Sequence, residues 1–93
     1  MAQILIPSPL RKFTGAEAKI EVRGDNSILQ SLQELANEYE DLRPHLFDGQ
    51  GEIRPYLRIF LADTDIEDLA GKDTMIKEND VISIIPAIAG GSK

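Results

Sequence analysis

The residue order predicts an α+β domain in which one helix lies across a mixed β-sheet. Three observations carry that reading. Two segments, residues 18–24 and 56–62, alternate apolar and polar side chains as half-buried strands do. Between them Ile28, Leu32, Leu35 and Tyr39 recur at helical spacing. The run Val81–Pro86 is nearly all apolar and β-branched. Strands on both sides of one helix belong to a two-layer domain.

Each element follows from its local sequence. "QILIP" (residues 3–7) reads as a strand that proline ends. "SPLRKFTGAE" turns the chain. "AKIEVRG" (residues 18–24) sets Ala18, Ile20 and Val22 on one face and Lys19, Glu21 and Arg23 on the other. The two strands are expected to pair as an antiparallel hairpin around Thr14 and Gly15. Ser27 followed three residues later by Gln30 is a capping box, which satisfies backbone donors at a helix start. The helical stripe, flanked by Leu29 and Ala36, must cover a sheet. Leu35→Asp is therefore expected to unfold the domain by burying an unpaired charge. "DLRPHLFDGQGEIRP" (residues 41–55) reads as loop, punctuated by Pro44, Gly49, Gly51 and Pro55.

"YLRIFLA" (residues 56–62) reads as a strand with Leu57, Ile59 and Leu61 opposed to Tyr56, Arg58, Phe60 and Ala62. Residues 63–80 are turn-rich, with a short strand at Ile66 and one helical turn near residues 74–76. Val81–Pro86 suits a strand covered on both faces or one at the sheet centre. This order fits a β-grasp sheet of four to five strands, its first and last strands parallel at the centre. The expected division is a β-grasp domain over residues 1–86 and a C-terminal tail over residues 87–93.

Composition narrows function. The 93 residues suit one domain. With no cysteine there is no disulfide, cysteine nucleophile or thiolate metal site. A net charge of −6 disfavours nucleic acid, which binds by releasing counterions to Lys and Arg, and favours a basic protein partner. The start lacks a basic region and long apolar stretch, and the longest near-apolar run is about half the ~20 residues a membrane helix needs. The expectation is a cytoplasmic protein that meets no membrane.

Motif candidates mostly dissolve. His45, the single histidine, lies between Pro44 and Leu46 without catalytic or metal-binding company and reads as a loop residue. "DTDIED" puts Asp68 and Thr74 where a calcium loop needs Gly and Glu. "GQGEIR" lacks the third glycine or the Lys-Ser/Thr of a phosphate loop. "AIAGGSK" is different. Between Pro86 and Gly91 only Ile88 carries a large side chain. Residues 87–91 reach at most about 17 Å, thin enough for a partner's channel. Glycines also admit close backbone or nucleotide approach. A frayed terminus and a working strip both fit.

"IPSPLRKFTG", "RIFLADTDIEDLAGKDT" and above all "NDVISIIPAIAGG" resemble the MoaD/ThiS family of ubiquitin-like sulfur carriers, over nearly the whole chain. The Leu-Arg, Thr-Gly and "PAIAGG" stretches are most similar to its CysO-like branch, which feeds sulfur to cysteine synthesis. The resemblance implies a β-grasp fold and no catalytic activity of the chain's own. It implies a terminal glycine carboxylate that a partner of the ubiquitin-activating type adenylates and that sulfur converts to a thiocarboxylate. By motif position Gly91 carries the sulfur and Gly90 gives access. ATP and magnesium belong to the partner. Ser92 and Lys93 depart from the pattern, because an amide at Gly91 cannot be adenylated. Cleavage between Gly91 and Ser92, by a metalloprotease of the deubiquitinase type, is the implied remedy. The sulfur goes to an accepting biosynthetic enzyme. Two alternatives stay open: a ubiquitin-like modifier joined to target lysines, and a small subunit of molybdopterin synthase. Partner contact is expected on the sheet face near the tail, at Phe60 and Arg58, and on Ile88. Packing of Phe60 under the loop is the competing reading. Lys72 and Lys77 are candidates for a nucleotide phosphate or an acidic groove, or simply solvated.

Overall fold

The computed structural model describes residues 1–86. Five strands form the main sheet: β1 (Ala2–Leu5), β2 (Lys19–Val22), β4 (Leu57–Leu61), β5 (Thr64–Asp65) and β7 (Val81–Pro86). Their order is β2-β1-β7-β4-β5. β1 runs parallel to β7, Ile4 opposite Ile82, and antiparallel to β2. β4 runs antiparallel to β7, with Ile59 opposite Ile84. A second, two-stranded sheet joins β3 (Asn26–Ser27) to β6 (Met75–Ile76). One main helix, α1 (Ile28–Glu38), packs on the sheet, and a short helix, α2 (Arg43–Leu46), follows it. The first and last strands are parallel at the centre, which is the β-grasp arrangement.

The core lies between α1 and one sheet face. Ala2 and Ile4 of β1, Ile20 and Val22 of β2, Ile59 of β4 and Ile82 and Ile84 of β7 bury against Ile28, Leu32, Leu35 and Ala36. The period of two along the strands and of nearly four along the helix aims all of them inward. The capping box forms: Gln30 N–H donates to Ser27 Oγ, and Ser27 N–H donates to Gln30 Oε1, both at 3.1 Å. Tyr39 ends the helix as its cap residue and packs half-buried on the core.

Three expectations need correction. Residues 41–55 are only partly loop. A 3-10 turn, Glu40–Leu42, runs into α2 because Leu42 and Leu46, four apart, both bury completely. Pro44 sits in the first turn of α2, where no N–H is needed. The short strand falls at Thr64–Asp65, closing a two-residue turn onto Leu61, and Ile66 instead opens a 3-10 turn into the core. The helical turn lies at Gly71–Asp73, before Thr74, and Met75–Ile76 extends to pair with Asn26–Ser27. β7 takes the second of its two expected places, the sheet centre, with one face covered: Ile82 and Ile84 bury while Ile85 is exposed. Among the described residues, no helix is long and apolar enough to cross a membrane.

Candidate functional site

β7 leads the chain toward the tail. Held between β1 and β4, it ends with Pro86 opposite Leu57, the first residue of β4. The described part of β7 therefore ends beside the start of β4. Gly90, Gly91, Ser92 and Ile88 lie outside the described residues.

The sheet face turned away from α1 is the surface next to that end of β7. Register places Lys19, Leu5, Ser83, Phe60 and Asp65 in one row across all five strands. Side chains directly opposite one another share a face, and the adjoining Ile4, Ile82 and Ile59 point into the core. The row therefore faces outward. Phe60 is half-buried there, on the outer side and not in the core. Leu5 and Val81 flank it, and Ile85 is 48% exposed. Arg58 shares the face two residues from Phe60, its Nη1 donating to Asp65 Oδ2 at 2.9 Å. Phe60 and Arg58 thus share this outward face. Leu5, Val81 and Ile85 were missed, although the two-residue alternation in "VISIIP" carries the signal for the last two.

The basic candidates separate. Lys77 precedes β7, a strand of six residues, and so lies at the end opposite Pro86, roughly 17 Å of strand away. Lys72 lines the same cleft as Leu57, Arg54 and Arg58, with its Nζ 3.8 Å from Glu52. His45 stacks on Phe13 with ring centroids 4.3 Å apart, in α2 rather than in a loop. Among the described residues no cluster of His, Asp or Glu is placed to hold a metal ion. Asp48 organises the glycine-bearing loop: its Oδ1 accepts from the N–H groups of Glu52 and Gln50 at 3.0 and 2.9 Å. Those two bonds hold its carboxyl below the usual 3.8.

Among the described residues the site thus offers an outward apolar patch and a paired arginine, with the end of β7 beside them. Similarity to known proteins agrees in kind. The chain is 29% identical over 90 residues to the sulfur carrier protein CysO of Mycobacterium tuberculosis, covering 95% of this chain and 96% of that one. It is 29% identical over 70 residues to small archaeal modifier protein 3 of Haloferax volcanii, covering 75% of each. A chain of the Amycolatopsis orientalis BexX/CysO complex superimposes with a TM-score of 0.86 at 24% identity, over 98% of this chain and 100% of that one, and shows the same fold. A sequence model of the ThiS family matches residues 4–91. The chain belongs to the ThiS family, the ubiquitin-like sulfur carriers with a β-grasp fold.

Proposed function

We propose that this protein carries sulfur on a carboxylate at Gly91. The single observation that carries the proposal is that the family match ends at Gly91, in a chain with no cysteine to hold sulfur. Ser92 and Lys93 fall beyond that match, so hydrolysis of the Gly91–Ser92 bond, by a metalloprotease, must come first. In an activating partner, the Gly91 carboxylate oxygen attacks the α-phosphorus of ATP and expels pyrophosphate, with magnesium held by the partner. A sulfide-level sulfur nucleophile then attacks the acyl carbon and expels AMP. The thiocarboxylate that results is the species handed to a sulfur-accepting biosynthetic enzyme.

Each step uses a property of the chain. A carboxylate is a poor electrophile until an acyl phosphate gives it a leaving group. Two glycines let the partner's backbone and nucleotide approach the reacting carbon. The open sheet face, at Phe60 and Arg58, docks the partner while the tail enters its channel. Ile88 gives the tail its one large apolar anchor.

A modifier role is the second reading. Its support is the similarity to small archaeal modifier protein 3. One experiment tests both. The protein is isolated from its own cells and weighed intact. A carrier ends at Gly91 with one terminal oxygen replaced by sulfur. A modifier gives heavier species that survive denaturant and reductant. A population that ends only at Lys93 overturns both.

A further inference from the structure

The sheet has an unfinished edge. β5 pairs with Phe60 and Leu61 alone, so among the described residues Leu57, Arg58 and Ile59 have no strand neighbour on the side away from β7. β5 stops there because Ile66 turns into the core, 4% exposed. A cleft of about 410 Å³ opens along this edge, with Ile53, Leu57, Ile59 and Ile66 among its walls. That size falls within the usual range of ligand clefts.

The main chain at this edge is polarised in a definite way. Ala62 N–H donates to Val81 C=O at 2.8 Å. By the alternation of an antiparallel ladder, Phe60 and Arg58 turn their amides to β7, while Ile59 and Leu57 turn theirs to the cleft. Leu57 N–H is already held by Arg54 C=O at 3.1 Å. The Leu57 C=O and the Ile59 N–H are the two groups that straddle Arg58. They match one residue of a parallel strand, whose N–H donates to the first and whose C=O accepts from the second.

We propose that this cleft binds an extended peptide segment of a partner protein, added parallel to β4 with one residue opposite Arg58. The side chains that flank the clamped residue point to the walls of Leu57, Ile59, Ile53 and Ile66 and are apolar. The clamped residue shares the outward face with Arg58, the one charged residue of β4, and is acidic, taking guanidinium N–H donors other than the one that Asp65 accepts. The segment is therefore apolar–acidic–apolar. Main-chain bonds supply affinity and alternate side chains supply selectivity in this mode of recognition. The partner's identity rests on the carrier reading: the cleft begins at Leu57, opposite Pro86, so a protein that receives the tail lies within reach of it.

The test uses the full chain, labelled with nitrogen-15, and the capped pentapeptide Ser-Val-Glu-Val-Ser. Amide shifts are expected at Ile53, Leu57, Arg58, Ile59 and Ile66. Methylation of the glutamate nitrogen removes the donor to Leu57 and is expected to weaken binding about tenfold, the scale of one lost hydrogen bond. Lysine in place of glutamate weakens it similarly, and Arg58→Glu reverses the preference between the two peptides. Shifts confined to Leu5, Val81 and Ile85, or equal binding of the methylated peptide, overturn the proposal. The assay does not involve Gly91, so its failure leaves the carrier reading standing, and an intact mass ending only at Lys93 leaves the cleft standing.

Discussion

Gly24 shows how one residue fixes the approach of two distant segments. A Cβ built there would lie 2.7 Å from Glu78 N and 2.9 Å from the Lys77 carbonyl carbon. Both are backbone atoms that cannot swing aside. Gly24→Ala is expected to cost about 1–3 kcal/mol, the range for forced overpacking, measured as a lower urea midpoint at unchanged slope. Ser31 has the opposite character. Its Oγ is buried in α1 and has no hydrogen-bond partner among the described residues. Ser31→Ala removes that burden and improves helix propensity, so a gain of about 0.5–1 kcal/mol is expected in the same melts. Neither effect was legible in the sequence. Gly24 meets residues more than fifty positions away, and an unpaired hydroxyl exists only once the core has closed. The capping box of Ser27 and Gln30 was legible because both partners and the bonds between them lie within four residues.

At the scale of elements, the long segments announced themselves and the short ones did not. α1, β4 and β7 repeat their period often enough to be read. β3 and β6 are two residues each, and their pairing of Asn26 with Ile76 is a tertiary event. It also explains why Met75–Ile76 is extended where a helical turn was expected: a ladder partner and burial of Ile76 outweigh local preference. The loop after α2 makes its own prediction. Asp48 is held below 3.8 because Glu52 and Gln50 donate to it. A depressed folded value means that the stabilisation is complete above the unfolded pKa near 3.8 and is lost as pH falls through the folded one. Asp48→Asn cannot titrate. The stability gap between the two proteins is expected to be constant near neutral pH and to narrow once pH drops below about 3.8. A gap that widens on acidification would show that the turn does not depend on the ionised carboxyl.

At the scale of the whole molecule, the proposed carrier role sets the reacting residue, Gly91, outside the described core. β1 and β7 pair as neighbours, so the sheet is completed only when nearly the full chain has come together. The core assembled by that closure lies within residues 1–86. Leu35, 1% exposed at its middle, is where a charge does most harm. Leu35→Asp is expected to abolish cooperative unfolding, since an uncompensated buried carboxylate costs several kcal/mol against a total of about 5–15. A chain ending at Pro86 should behave in reverse. It keeps every strand pairing and core contact found among the described residues, so its urea midpoint is expected to match the full chain. It also keeps the open face, so it should still compete for the activating partner while accepting no adenylate. Phe60→Ala in the full chain is expected to weaken that partner's use of it by about five- to tenfold, the effect of losing an interface anchor, and to leave the unfolding free energy within about 1 kcal/mol. If the Pro86-ending chain unfolds at clearly lower urea, the tail belongs to the folding unit. If it folds but fails to compete, the sheet face is not where the partner docks.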